Sequence, residues 1–174
     1  MSNSIMVGMG EIKISRMPED VLTALGLGSC IGVCVYDPIC RIAGMAHVVL
    51  PSHVQNTGDL PGKFATTAIP ALLESMRRCG AKTGNLRVAI AGGAQIFAFA
   101  GASAQLDIGK RNATAVQEML AKNNLPIHAQ DVGGNMGRTV QLYSNDGRVS
   151  IKTIGQGVKE LVILGDAKCV HVNS

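Results

Sequence analysis

Tryptophan is absent from this 174-residue chain, and tyrosine and phenylalanine together supply only 3% of it. So thin an aromatic set excludes base stacking as a binding mode. The core must be built from Val, Ile, Leu, Ala and Met, with close backbone packing through the 21 glycines. Charge is scarce as well, at 16%, and no block of one sign occurs. The net +4 is scattered. Its local basic groups, Arg77, Arg78 and Lys82, then Lys110 and Arg111, read as solvated helix ends rather than a stripe for nucleic acid. No apolar run reaches the roughly 18 residues of a membrane span, and MSNSIMVGMGEIKIS carries acid and base too early for a signal peptide. The five cysteines, at 30, 34, 40, 79 and 169, are odd in number and have neither CxxC spacing nor a paired histidine arrangement. That excludes a disulfide framework and a zinc site and predicts a reducing, cytoplasmic location with no membrane insertion.

What is present is 47% hydrophobic residues with no linker and no repeat, so residues 1–174 are expected to form a single domain. Residues 5 to 15 and 20 to 25 read as short strands. IGVCVYD (31 to 37) is a continuous apolar run of the kind covered on both faces, Asp37-Pro38 turns the chain, and RIAGMAHVVLP (41 to 51) returns as the second arm of a hairpin. After a polar loop over 52 to 62, Phe64, Ala68, Leu72, Leu73 and Met76 recur at helical spacing up to Gly80, with Pro70 predicting a kink or a later start. LRVAIAGGAQIFAFA (86 to 100) reads as a buried strand, a Gly92-Gly93 turn and a further apolar stretch. Residues 108 to 124 form a second amphipathic helix with Ala115, Met119, Val116 and Leu120 facing inward, stopped by Pro126. The last third alternates apolar and polar residues around a Ser144-Asn145-Asp146-Gly147 turn, and VKELVIL makes a final strand. Many strands with two good helices predict an α+β fold: an α/β sandwich with mixed or mainly antiparallel sheets.

LGLGSCIGVCVYDP (25 to 38) places Cys30 between a glycine-rich turn and an apolar strand. Free cysteine packs well as a small hydrophobe, and Cys34, in mid-strand, is read that way. Reaction would require a neighbouring base and backbone donors. Gly26, Gly28 and Gly32 clear side chains from around Cys30, which would let the Ser29 and Cys30 N–H groups converge as an oxyanion site. Of His47, His53, His128 and His171, the predicted hairpin returns His47 toward Cys30. Such a pair suits acyl transfer from an amide, with the imidazole moving the proton. GLGSC is not a phosphate loop, since no GK[ST] follows and no helix starts there.

Taken in order, LGLGSCIGVCVYDP, AGMAHVVLP, PGKFATTAIPALLESM, IAGGAQIF, IGKRNATAV and DVGGNMGR resemble the chemoreceptor glutamine deamidases, the CheD family of bacterial chemotaxis. The resemblance implies hydrolysis of glutamine side-chain amides in methyl-accepting chemotaxis receptors, with Cys30 as nucleophile and His47 as base, and no metal or organic cofactor. It also implies a sandwich similar to the cytotoxic necrotizing factor deamidases. The receptor must enter as a helical segment, so a shallow apolar groove is expected, with Phe97 and Phe99 as candidates to line it. A CheC-type phosphatase pairs with some family members, which makes regulatory binding the alternative function. A monomer is expected, as no heptad pattern is evident.

One position departs from the family pattern. The usual third catalytic member, a threonine just before LGLGSC, is Ala24 here, with Thr23 one place earlier. Alternation along a strand turns Thr23 to the opposite face unless a bulge intervenes, so the Ala24 carbonyl is expected to orient His47 in its place.

Overall fold

The computed structural model describes residues 1–52, 58–96 and 107–166. Among these described residues, ten strands form two five-stranded sheets. The inner sheet has the order β2-β5-β4-β6-β7, comprising β2 (Ile12–Ser15), β4 (Ile31–Asp37), β5 (Ile42–Val48), β6 (Arg87–Gly92) and β7 (Ile127–Val132). The outer sheet has the order β1-β3-β8-β9-β10, comprising β1 (Asn3–Met6), β3 (Asp20–Leu27), β8 (Arg138–Tyr143), β9 (Arg148–Thr153) and β10 (Gly157–Ile163). Two helices, α1 (Ala65–Arg78) and α2 (Ile108–Lys122), cover the free face of the inner sheet. Both sheets are mixed, with β1–β3 and β6–β7 parallel and the other pairs antiparallel. The expected α+β sandwich is the observed one.

The layering explains the composition of the strands. Along β4, Ile31, Val33 and Val35 pack against the helices while Cys34 and Tyr36 pack against the outer sheet, so every residue from Ile31 to Asp37 is buried. A strand covered on both sides has no polar face to show. By contrast β8 alternates buried and half-buried residues, because only one face of the outer sheet meets the core. Its other face is open, and Ser4, Met6, Thr23, Leu25, Thr139 and Lys152 line a groove of ≈ 520 Å³ there.

The β4–β5 hairpin forms as expected, with Tyr36 opposite Ala43 and Ile31 opposite Val48. Its turn is held by Asp37, whose carboxylate accepts the N–H groups of Ile39, Cys40 and Lys82. Burial by itself pushes this carboxyl up, but the N–H bonds outweigh it and hold Asp37 below its ordinary range.

Three expectations change. Residues 5 to 15 are not one strand: Gly10, at φ 79°, turns the chain, so that β1 lies in the outer sheet and β2 in the inner one. Helix α1 begins at Ala65 and runs through Pro70, which is exposed and whose missing N–H leaves the Thr66 carbonyl without its intrahelical partner. Helix α2 is rotated from its expected phase. Gly109, Asn112, Ala113, Val116 and Leu120 are buried, whereas Ala115 and Met119 are only partly covered. The rotation follows from the first turn, where a Cβ on Gly109 would stand 2.5 Å from the Gly93 carbonyl oxygen and 2.6 Å from that of Ala94. Only glycine lets the helix approach this loop so closely.

Candidate active site

Strand β3 carries a bulge between Ala24 and Leu27, with Gly26 at φ 60°, which leaves Leu25 and Gly26 exposed and returns Leu27 to the core. The chain then passes through Gly28 and Ser29 into β4. This passage is pinned by the loop after β6. Ala94 N–H donates to the Gly28 carbonyl and Gly93 N–H to the Cys30 carbonyl, both at 2.8 Å. Gly92, at φ 120°, permits the approach, since a Cβ there would lie 2.1 Å from the Cys30 carbonyl oxygen. Gly28, Ser29 and Cys30 are half-buried, neither sealed in nor fully open.

The ladder register brings Cys30 and His47 together. Gly32 faces His47, and Cys30 extends β4 by one residue through its bond to Gly93. Side chains two apart on a strand share a face, so Cys30, Gly32 and Cys34 all look toward the space between the sheets, as does His47 across from Gly32. Cys30 and His47 are thus diagonal neighbours, a relation that spans about 7–8 Å between Cα atoms and lies within reach of a long or aromatic side chain. Glycine at 32 leaves this face to Leu27 and Val140, which a Cβ there would meet at 3.2 Å and 3.8 Å.

His47 is buried, and its Nδ1 lies 2.9 Å from the Val7 carbonyl oxygen. A carbonyl can only accept, so Nδ1 donates its proton to Val7, and Nε2 is the ring nitrogen that this bond leaves unused. The acceptor is therefore Val7 and not Ala24, as the sequence suggested. The chain after β1 continues beside β3, with Val7 N–H bonded to the Thr23 carbonyl, and so reaches the imidazole first. Ala24 is a buried part of the core between the sheets, paired with Val140 in the ladder. Thr23 points away, as alternation requires, with its hydroxyl 3.3 Å from that of Ser4, and the bulge comes too late in the strand to turn it inward.

The electrostatics separate two cysteines on one face. Complete burial pushes the Cys34 thiol up to about 12, which makes it an inert core residue. Partial burial also pushes the Cys30 thiol up, though less completely enclosed. A resting thiolate is not what this surrounding favours. A thiol held in its neutral form has to give up its proton before or as the sulfur attacks.

Ser29 sits where the turn needs it, with its carbonyl accepting from Asn112 Nδ2 at 2.8 Å. Among the described residues, the Ser29 and Cys30 N–H groups donate to no backbone carbonyl. His128 lies at the far end of the inner sheet, where its Nδ1 accepts the Val88 N–H across the irregular start of the β6–β7 pairing. His53, His171, Cys169, Phe97 and Phe99 fall outside the described residues. No group of three His, Cys, Asp or Glu side chains suited to a metal occurs among the described residues. Two contributors went unrecognised in the sequence: the Val7 carbonyl, which has no side-chain signature, and Asn112. The second had one usable signal, an amide at a buried helical phase in IGKRNATAV.

Known proteins resemble this chain over most of its length. A family model described as CheD chemotactic sensory transduction matches residues 49–153. A probable chemoreceptor glutamine deamidase CheD of Symbiobacterium thermophilum is 44% identical over 157 residues, 89% of this chain and 95% of that protein. The chain belongs to the CheD family. CheD proteins of Caldanaerobacter subterraneus, 45% identical over 159 residues, and of Desulfitobacterium hafniense, 44% identical over 159, also align over 91% of this chain and 98% and 99% of theirs, and both bear that same description. The CheD family model begins just past His47, whereas alignments of such length in a chain of 174 residues necessarily span both Cys30 and His47. Among solved structures, a Bacillus licheniformis hypothetical protein, YfiH, superposes with a TM-score of 0.41 at 15% identity over 71% of this chain and 49% of that one. No helix among the described residues is long and apolar enough to cross a membrane.

Proposed function

We propose that this CheD protein hydrolyses the side-chain amides of glutamines in methyl-accepting chemotaxis receptors, giving glutamates, through a thioester on Cys30. The observation that carries the reading is the pairing of a half-buried thiol with an imidazole whose Nδ1 is held by the Val7 carbonyl. The names of the CheD relatives supply the substrate class.

In the first step the Cys30 sulfur bonds to the carboxamide carbon while His47 Nε2 takes the thiol proton. The resulting oxyanion is held by the Ser29 and Cys30 N–H groups. Collapse breaks the C–N bond, and the imidazolium returns the proton so that ammonia leaves. Water then attacks the thioester with His47 as base, the C–S bond breaks, and the glutamate carboxyl and the thiol are restored. The Val7 carbonyl holds the imidazole through Nδ1 in one orientation through both steps. The receptors' glutamines are reached from the cytoplasmic side, and no cofactor takes part.

The test is mass spectrometry of a purified receptor signalling fragment incubated with the protein, scored for the mass gain of Gln-to-Glu conversion. Cys30→Ala is expected to abolish conversion, and His47→Ala to slow it by about 10²–10⁴-fold. Conversion by Cys30→Ala at the wild-type rate would sink the reading.

A further inference from the structure

We propose that Asn112, a residue of α2 remote in sequence from the Cys30 turn, is the positioning residue that aims the Cys30 N–H at the developing oxyanion. The proposal rests on the reading of Cys30 as the nucleophile and adds the device that prepares its donor. Asn112 is fully buried, and its Nδ2 lies 2.8 Å from the Ser29 carbonyl oxygen and 2.8 Å from that of Val49. Both partners are acceptors, so the amide orientation is unambiguous and both of its N–H donors are used. One side chain thus ties the residue before Cys30 to the strand end two residues past His47.

The consequence lies in the peptide unit that Ser29 and Cys30 share. In a planar trans peptide the C=O and the following N–H point in opposite directions. By drawing the Ser29 carbonyl toward α2, Asn112 turns the Cys30 N–H away from it. Helix α2 covers the face of the inner sheet opposite to that bearing Cys30 and His47, so this N–H is directed to the side where the substrate carbonyl must sit. The preceding unit is locked in the same way, with Ala94 N–H holding the Gly28 carbonyl and thereby directing the Ser29 N–H. Two donors are fixed by two anchors outside the turn, before any substrate arrives.

A second observation singles out Asn112 as more than filler. Its Oδ1 is buried and has no hydrogen-bond partner among the described residues. An orphaned acceptor is unfavourable, and an apolar residue of like shape would avoid it. Its presence at this helical phase is accounted for by the two donors that the carbonyls require.

The experiment compares deamidation of a receptor signalling fragment with alkylation of the same thiol. Iodoacetamide is attacked at a CH₂ group and forms no carbonyl oxyanion, so it reads the state of Cys30 without its donor. Asn112→Asp keeps the shape but removes both N–H donors. It is expected to lower kcat about 100-fold, to leave KM within about two-fold and to leave Cys30 alkylation within about three-fold. Wild-type kcat, or kcat and alkylation falling in parallel as the turn merely loosens, would overturn the proposal. Should circular dichroism show Asn112→Asp unfolded, Asn112→Ser, with one shorter donor, is expected to show the same split at smaller size, and its absence overturns the proposal equally. Failure of the underlying reading looks different: Cys30→Ala would then remain active. An inactive Cys30→Ala beside a fully active Asn112→Asp removes this inference alone.

Discussion

Cys30 and Cys34 lie two positions apart on one face of one strand, yet their surroundings assign them opposite roles. Cys34 is enclosed between the sheets and its thiol is held neutral far above physiological pH. Cys30 stands at the strand's open end, but partial burial still raises its thiol, and among the described residues no neighbouring charge offsets the shift. A buried group that prefers its neutral form ionises only as pH rises beyond its ordinary range, near 8.5 for a thiol. Alkylation of Cys30 by iodoacetamide, followed by peptide mapping, is therefore expected to be slow at pH 7 and to speed up about ten-fold per unit from pH 7 to 8.5. Cys34 should stay unlabelled throughout. A Cys30 rate already at its plateau at pH 7 would mean a preformed thiolate and would contradict the proton transfer to His47 described above.

Between elements, the decisive contacts are made by glycines that have no side chain to obstruct them. The Cys30 turn rests on the 93–94 loop, and the first turn of α2 rests on that loop from the other side through Gly109. In Gly109→Ala the new Cβ would meet two backbone carbonyls, which cannot swing aside as a flexible side chain could. The helix must withdraw, and Asn112, one turn later, must withdraw with it. Helix propensity alone favours alanine by about 1 kcal/mol, whereas overpacking costs about 1–3 kcal/mol. The expected outcome is a lower melting temperature together with a roughly ten-fold or greater fall in kcat. A variant more stable than the parent and equally active would show that the helix is free to shift.

At the scale of the whole molecule, the inner sheet lies between the helices and the outer sheet. Strands β4 and β5 are buried from end to end and carry His47 and the residue adjoining Cys30, the pair proposed to react. Strands β1 and β10 form the edges of the outer sheet and are largely exposed. Opening β4 requires separating three layers, while an edge strand can detach locally. Native-state hydrogen exchange is accordingly expected to be slowest for β4 and β5 and fastest for β1 and β10. Exchange of β5 as fast as that of β1 would mean that the His47 strand is held less firmly than the layering implies.

The sequence by itself determined those features whose cause is local. The apolar run of β4, the Asp37-Pro38 turn and the return through His47 specify a hairpin, because strand period and turn chemistry are written within a few residues. That hairpin sets Cys30 diagonal to His47. The turn Ser144–Gly147 between β8 and β9 and the existence of both helices were legible on the same grounds. Only the tertiary structure decided that the first fifteen residues divide between two sheets, that α2 turns Asn112 inward rather than Ala115, and that Val7 rather than Ala24 holds the imidazole. Each of these depends on which surface meets which across a long separation in the chain. A backbone carbonyl offers no side chain to read, so its role exists only once the fold has brought it to its partner.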